Sequence, residues 1–135
     1  MKTTENKLLF IVEDDPLYSN ALSEYLTKEI GNLEIKQFSN GESCLHEMYL
    51  NPLALIIDYY LDSQFEYAWN GIQILKKILI SYPSSSIIII SVQNDLQIAL
   101  NCVKNGALDY VIKNEKTFQT IQDSLLNVID DQIQY

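Results

Sequence analysis

Five polar residues stand where short apolar runs end. Asp14 and Asp15 follow residues 8–12, Asp58 follows 53–57, Ser91 follows 87–90 and Lys113 follows 109–112. Taken singly, each has an ordinary explanation: an Asp-Asp-Pro turn caps a helix, an acid after an apolar run opens a loop, and a serine or lysine ends a strand in water. Taken together they form a chemically coherent set. Carboxylates about 5 Å apart repel by roughly 3 kcal/mol per pair at an effective dielectric of about 20, so three of them in one place call for a cation or shared protons. Hard oxygen donors of this kind suit Mg2+ better than zinc or copper. Beside such a metal a carboxylate can act as nucleophile towards a phosphoryl group. The metal and an ammonium then balance charge on the transferring oxygens, and a hydroxyl can hydrogen-bond one of them.

The spacing of apolar residues places all five at one edge of a sheet. Residues 8–12 (Leu-Leu-Phe-Ile-Val) form a continuous apolar run, too short for a helix and typical of a strand buried on both faces. Pro16, with Asp15 before it as N-cap, opens a helix carrying Leu17, Ala21, Leu22, Tyr25 and Leu26 down to Gly31. Residues 33–38 alternate charged and apolar side chains as an edge strand does. Ser39-Asn40-Gly41 turns into a helix with Cys44, Leu45 and Met48, ending before Pro52. Residues 53–57 give a third strand meeting Asp58, and 72–80 a helix. Residues 87–90, four isoleucines, make a fourth strand; 95–104 a helix closed by Asn105-Gly106; 109–112 a fifth strand; and 117–129 a last helix. Strands alternating with helices imply a doubly wound α/β fold, with a parallel sheet and helices on both faces. Right-handed crossovers then bring every strand C-terminus to one edge, where such sheets bind ligands.

Composition narrows the partners. The chain has 135 residues, enough for one domain with its own core, and a net charge of −9. All nine basic residues are lysines. Without the arginine fork and with this charge, direct nucleic-acid binding and attachment to anionic lipid are not expected. Cys44 and Cys102 have no partner at metal spacing, and His46 is the sole histidine, so two reduced, buried thiols are expected and a histidine-ligated metal is not. The polar start and the lack of a long apolar stretch lead to an expectation of a cytoplasmic protein.

Ile11-Val12-Glu13-Asp14-Asp15-Pro16, Leu55-Ile56-Ile57-Asp58-Tyr59-Tyr60-Leu61, the isoleucine run into Ser91, and Gly106-Ala107-Leu108-Asp109-Tyr110-Val111-Ile112-Lys113 resemble the motifs of response regulator receiver domains of two-component signal transduction. The likeness runs from Leu8 to the last helix, with five elements in the right order. It implies a five-stranded sheet of order 2-1-3-4-5 with five helices, flavodoxin-like in plan. It further implies Asp58 as phosphoacceptor and a Mg2+ ion held by Asp14, Asp15, Asp58 and the Tyr60 main-chain carbonyl. Ser91 and Tyr110 are implied as switch residues and Lys113 as the lysine that stabilises the phosphoryl group. A sensor histidine kinase or histidine phosphotransfer protein would be the donor. With the core at about residues 7–132 and nothing left for an output domain, a stand-alone receiver acting on another protein is expected.

Three features depart from the family pattern. The loop between Asp58 and Gly71 is long and lacks proline, Val92 replaces a small residue after the switch hydroxyl, and Asn114 stands where a proline often follows the lysine. Tyr59, Tyr60, Phe65, Tyr67 and Trp69 crowd the long loop. They either fold back and bury locally, or they dock a kinase or phosphotransfer protein, with Phe65, Tyr67 and Trp69 as the docking residues. Two other classes share parts of the pattern. A small Mg2+-dependent aspartyl phosphatase would need a cap and usually carries its nucleophile on the first strand. A pseudo-receiver or flavodoxin-like adaptor would act by contacts alone, but it normally lacks an acid of the cluster, or needs a phosphate-binding loop where Asp14-Asp15-Pro16 has the wrong charge.

Overall fold

The alternation of apolar runs and amphipathic segments builds a layered structure. The computed structural model describes residues 6–61 and 69–133. Its strands are β1 (Lys7–Val12), β2 (Leu33–Phe38), β3 (Ala54–Asp58), β4 (Ile87–Ser91) and β5 (Asp109–Ile112). Its helices are α1 (Pro16–Glu29), α2 (Gly41–His46), α3 (Gly71–Ser81), α4 (Leu96–Lys104) and α5 (Thr117–Ile133). All strand pairs are parallel and the order is β2-β1-β3-β4-β5. The doubly wound five-stranded sheet is therefore as expected, with the alternating strand β2 at an edge.

The central strands explain the two-sided core. In β1, β3 and β4 successive side chains point to opposite faces. Phe10, Val12, Leu55, Ile57, Ile87 and Ile89 meet Ile74, Leu75 and Ile78 of α3 and Cys102 of α4 on one side. Leu9, Ile11, Ala54, Ile56, Ile88 and Ile90 meet Leu22 and Leu26 of α1 and Ile121 and Leu125 of α5 on the other. Full burial of each such branched side chain contributes about 1.5–3 kcal/mol, which is why these strands are apolar on both faces.

Local signals decide where the helices start and stop. Asp15 Oδ1 accepts from the amides of Leu17 and Tyr18 and caps α1. Asn70 and Gln73 form a reciprocal capping box at α3, and Asp95 caps α4. The helix expected to reach Pro52 instead ends at His46, and Met48–Leu50 forms a separate 3-10 turn. Asn51 follows in a left-handed conformation (φ 59°), and the pre-proline position disfavours continuing the helix. No peptide bond among the described residues is cis, so Lys113–Asn114 is trans. Among the described residues no helix is long and apolar enough to cross a membrane.

The long loop after β3 has a narrow neck. The Gly71 amide donates to the Tyr59 carbonyl at 2.8 Å. A Cβ on Gly71 would lie 2.7 Å from Tyr59 Cα and 2.8 Å from the Asp58 carbonyl oxygen. These are backbone atoms of the strand end that carries Asp58, and they cannot swing aside. Gly71→Ala should therefore lower stability by roughly 1–3 kcal/mol in denaturant titration, the range for forced overpacking. Gly31, with nothing within 4 Å of its would-be Cβ, is the control. Gly31→Ala should change stability by about 0.5 kcal/mol or less. Equal effects at the two sites would show that the neck is not tight.

Candidate functional site

Parallel pairing and register bring the strand ends together. Asp58 closes β3 beside Ile90 of β4, and Ser91 closes β4 beside Ile112 of β5. Main-chain bonds extend the ladder past the strands: Tyr59 N–H donates to the Ile90 carbonyl at 2.8 Å and Lys113 N–H to the Ser91 carbonyl at 2.8 Å. The order of strands reverses between β1 and β3, so the crevice lies at the ends of those two strands, where open α/β sheets bind ligands.

Lys113 reaches across this edge. Its Nζ donates to Glu13 Oε1 at 2.7 Å and to Asp58 Oδ2 at 3.0 Å. Asp58 is buried, and its Oδ1 accepts from Tyr60 N–H at 3.1 Å. Glu13 is buried too, and its Oε2 accepts from Asp15 N–H at 3.2 Å. Burial, then the neighbouring Asp58 carboxylate, pushes Glu13 up to about 8 in spite of Lys113. Burial pulls the Lys113 ammonium down, but Glu13 and Asp58 outweigh it and hold the lysine above its ordinary value.

The acids that meet are not all those expected. Carboxylate oxygens of Glu13, Asp14 and Asp58 lie within 4.8 Å of one another, a grouping that could hold a metal ion. Asp15, expected as a metal carboxylate, is exposed and spends Oδ1 on the α1 cap. The reason is register. Val12 ends β1, and Glu13 is the next residue, with its amide still bonded to the Phe38 carbonyl at 2.9 Å. Asp15 stands two residues further on, at the start of the helix. Glu13 was missed because it reads as one more solvated acid in an acidic turn. Counting residues from the end of the apolar run would have found it. The donor set of three carboxylates fits a hard divalent cation such as Mg2+. A groove of about 1020 Å³ opens from Glu13 and Asp14 past Ser19, Gln37, Asn40 and Leu61.

The other expected residues fall around this centre. Ser91 is fully buried, and its Oγ accepts from Gln93 N–H at 3.1 Å. Tyr110 packs its ring on the core below α3 and α4 and donates its hydroxyl to the Gln93 carbonyl at 2.8 Å. One loop residue is thus tied to both Ser91 and Tyr110. Val92 is exposed beside them. Of the proposed docking residues, Phe65 and Tyr67 lie outside the described residues. Trp69 is partly buried against the core, with Lys77 Nζ 4.4 Å from its ring centroid. Tyr59 and Tyr60 meet edge to face at 4.9 Å, and Tyr59 also packs on the core. For Trp69 and Tyr59, local packing is the arrangement found.

The raised Glu13 value predicts a pH dependence when divalent cations are chelated. The native state keeps a proton on Glu13 up to about 8 that the unfolded chain gives up in the ordinary carboxylate range. Between these limits the folded protein binds more protons, so its stability falls as pH rises. Lys113 acts only at more alkaline pH, because its value is raised above that of an ordinary lysine. Thermal melts in chelator should show this decline, and Glu13→Gln should flatten it. An unchanged slope in the variant would place the titration elsewhere.

Comparison with known proteins agrees with this fold. A family model described as the response regulator receiver domain matches residues 9–125. The chain is 28% identical over 105 residues to a cyclic di-GMP phosphodiesterase of Thermotoga maritima, covering 78% of this chain and 26% of that protein. It is also 28% identical over 107 residues to the transcriptional regulatory protein MalR of Bacillus subtilis, covering 78% and 43%. The chain thus spans less than half the length of these curated relatives. Among solved structures, the CheX–CheY–BeF3–Mg2+ complex of Borrelia burgdorferi is similar in fold, with a TM-score of 0.78 at 20% identity over 93% of this chain and 90% of that one. With a family match across most of its length and a sheet order to go with it, the chain belongs to the response regulator receiver domains.

Proposed function

We propose that the chain accepts a phosphoryl group on Asp58, in a Mg2+-dependent reaction, from a histidine kinase or histidine phosphotransfer protein, and thereby switches a protein-binding surface. The observation that carries this reading is the Lys113 ammonium bridging Glu13 and Asp58 while Asp14 completes the carboxylate group. A buried nucleophilic carboxylate, an acid pair and a fixed ammonium are what phosphoryl transfer to an aspartate requires. The solved CheY relative was obtained with BeF3 and Mg2+, which supports the same use of the site here.

In this reading Glu13, Asp14 and Asp58, with the Tyr60 main-chain carbonyl that the family pattern implies, would hold the ion. When bound, Mg2+ supplies positive charge to the phosphoryl oxygens. An Asp58 oxygen attacks phosphorus as the bond from phosphorus to the donor's imidazole nitrogen breaks, and the donor leaves as neutral histidine after taking a proton from water. Tyr60 N–H holds Asp58 Oδ1 and thereby orients the carboxylate. Lys113 offsets charge on the transferring group. The Ser91 hydroxyl donates to a phosphoryl oxygen, and Gln93, bonded to both Ser91 and Tyr110, passes the change to the loop before α4. Leu96, Leu100 and Val103 form an exposed apolar stripe along α4, with Leu108 nearby, suited to a protein partner. As a stand-alone receiver the chain would signal only through such contacts.

Intact mass after incubation with Mg2+ and acetyl phosphate should rise by one phosphoryl group in the parent and not in Asp58→Asn. A parent that gains no mass refutes the reading. Thermal melts with and without millimolar Mg2+ assign the acids. The ion should stabilise the parent and Asp15→Ala but not Asp14→Ala. Asp15→Ala should lose about 1 kcal/mol from its helix cap in either condition. Loss of the Mg2+ response in Asp15→Ala would restore that residue to the metal site.

A further inference from the structure

Lys113 has one more neighbour that phosphoryl transfer does not by itself require. Its Nζ lies 4.2 Å from the centroid of the Tyr18 ring. Tyr18 stands in the first turn of α1, and its amide, like that of Leu17, donates to the Asp15 cap. Its ring meets Phe118 of α5 edge to face at 5.6 Å. Phe118 in turn lies 5.3 Å from the ring of Tyr25, whose hydroxyl donates to Gln122 of α5 at 2.6 Å. The three rings form a continuous row along the seam of α1 and α5, and the row ends at the ammonium.

This placement matters because lysine is long and flexible, with a point charge that hydrogen bonds alone do not orient. Two of the three N–H donors of Lys113 go to Glu13 and Asp58. The ring covers a further side of the ammonium, where its negative face attracts the charge and shuts out water. Such an interaction strengthens where the cation is partly desolvated, and the Lys113 side chain is only 14% exposed.

We propose that Tyr18 is a positioning residue: its ring face, propped by Phe118 and Tyr25, holds the Lys113 ammonium at Asp58, so that the α1–α5 seam sets the charge balance of the acceptor site. The kinetic part of this proposal rests on the phosphoacceptor reading of Asp58; the positional part does not. The aromatic face is the working element, so Tyr18→Phe should keep the function and Tyr18→Leu should lose it.

The experiment combines two readouts on the parent, Tyr18→Phe and Tyr18→Leu. The first is the proton chemical shift of the Lys113 ε-methylene, measured by NMR without phosphodonor. Ring-current shielding should move it upfield in the parent and in Tyr18→Phe, and the shift should vanish in Tyr18→Leu. The second is the initial rate of mass gain with acetyl phosphate at saturating Mg2+. That rate should fall about threefold to tenfold in Tyr18→Leu, the range for a cation–π contact, and return to near the parent rate in Tyr18→Phe. An unshifted Lys113 resonance in the parent overturns the proposal whether or not the leucine variant folds. So does a leucine variant that reacts at the parent rate, or a phenylalanine variant no faster than the leucine one. If the parent takes up no phosphoryl group, the acceptor reading fails, and the Lys113 resonance still decides the role of Tyr18.

Discussion

The contact of Lys113 with Glu13 and Asp58 is the constraint around which the site is arranged. Two buried carboxylates and a third at the edge of the cluster would repel one another, and a charge left unpaired in such a place costs several kcal/mol, about 3–5 when one partner of a buried pair is removed. The lysine, together with the proton that Glu13 keeps up to about 8, removes much of that cost in the absence of a metal. It lies 100 residues from Glu13 and 55 from Asp58 along the chain, so the contact exists only when β1, β3, β4 and β5 are all in register. The fold and the charge balance therefore depend on each other. Any cation entering among these carboxylates would have to share them with the ammonium.

Around that centre the structure divides rigidity from adaptability. The isoleucine-rich strands β3 and β4 are fully buried and give Asp58 and Ser91 fixed starting points. Gly71 packs directly on the backbone of Asp58 and Tyr59 and ties the start of α3 to the end of β3. On the other side of the site, Gln93 is held by Ser91 and Tyr110 through single hydrogen bonds on an exposed loop, an arrangement that can exchange partners at small cost. The apolar stripe of α4 follows immediately. The rigid part thus carries Asp58 and Ser91, and the adaptable part borders the exposed apolar stripe of α4.

Much of this was legible in the residues alone, for reasons of periodicity and chemistry. Two-sided apolar runs such as 87–90 can only be buried strands of a covered parallel sheet, and Pro16 and Gly106 mark helix boundaries by their backbone preferences. An acid, a hydroxyl and a lysine placed after successive strands identify an edge and a chemistry, because parallel strands must end on the same side. The resemblance to receiver domains rested on those same positions and supplied the strand order, which periodicity cannot give. The helix ending at His46 rather than near Pro52 escaped the pattern, since a left-handed Asn51 is a choice made by the turn and not by the apolar spacing.

The sequence by itself determined the architecture, the edge at which the strands end, and Asp58, Ser91 and Lys113 as residues at that edge. These follow from hydrophobic period and chain direction, which are local properties. Tertiary structure decided which acid faces which. Glu13 rather than Asp15 joins Asp14 and Asp58, because Glu13 directly follows the strand while Asp15, two residues further on, is the helix cap. It also decided that the rings of Tyr18, Phe118 and Tyr25 line one seam and end at Lys113. Those residues lie on helices far apart in the chain, and only the packing of α1 against α5 on a twisted sheet brings their side chains within reach of one another.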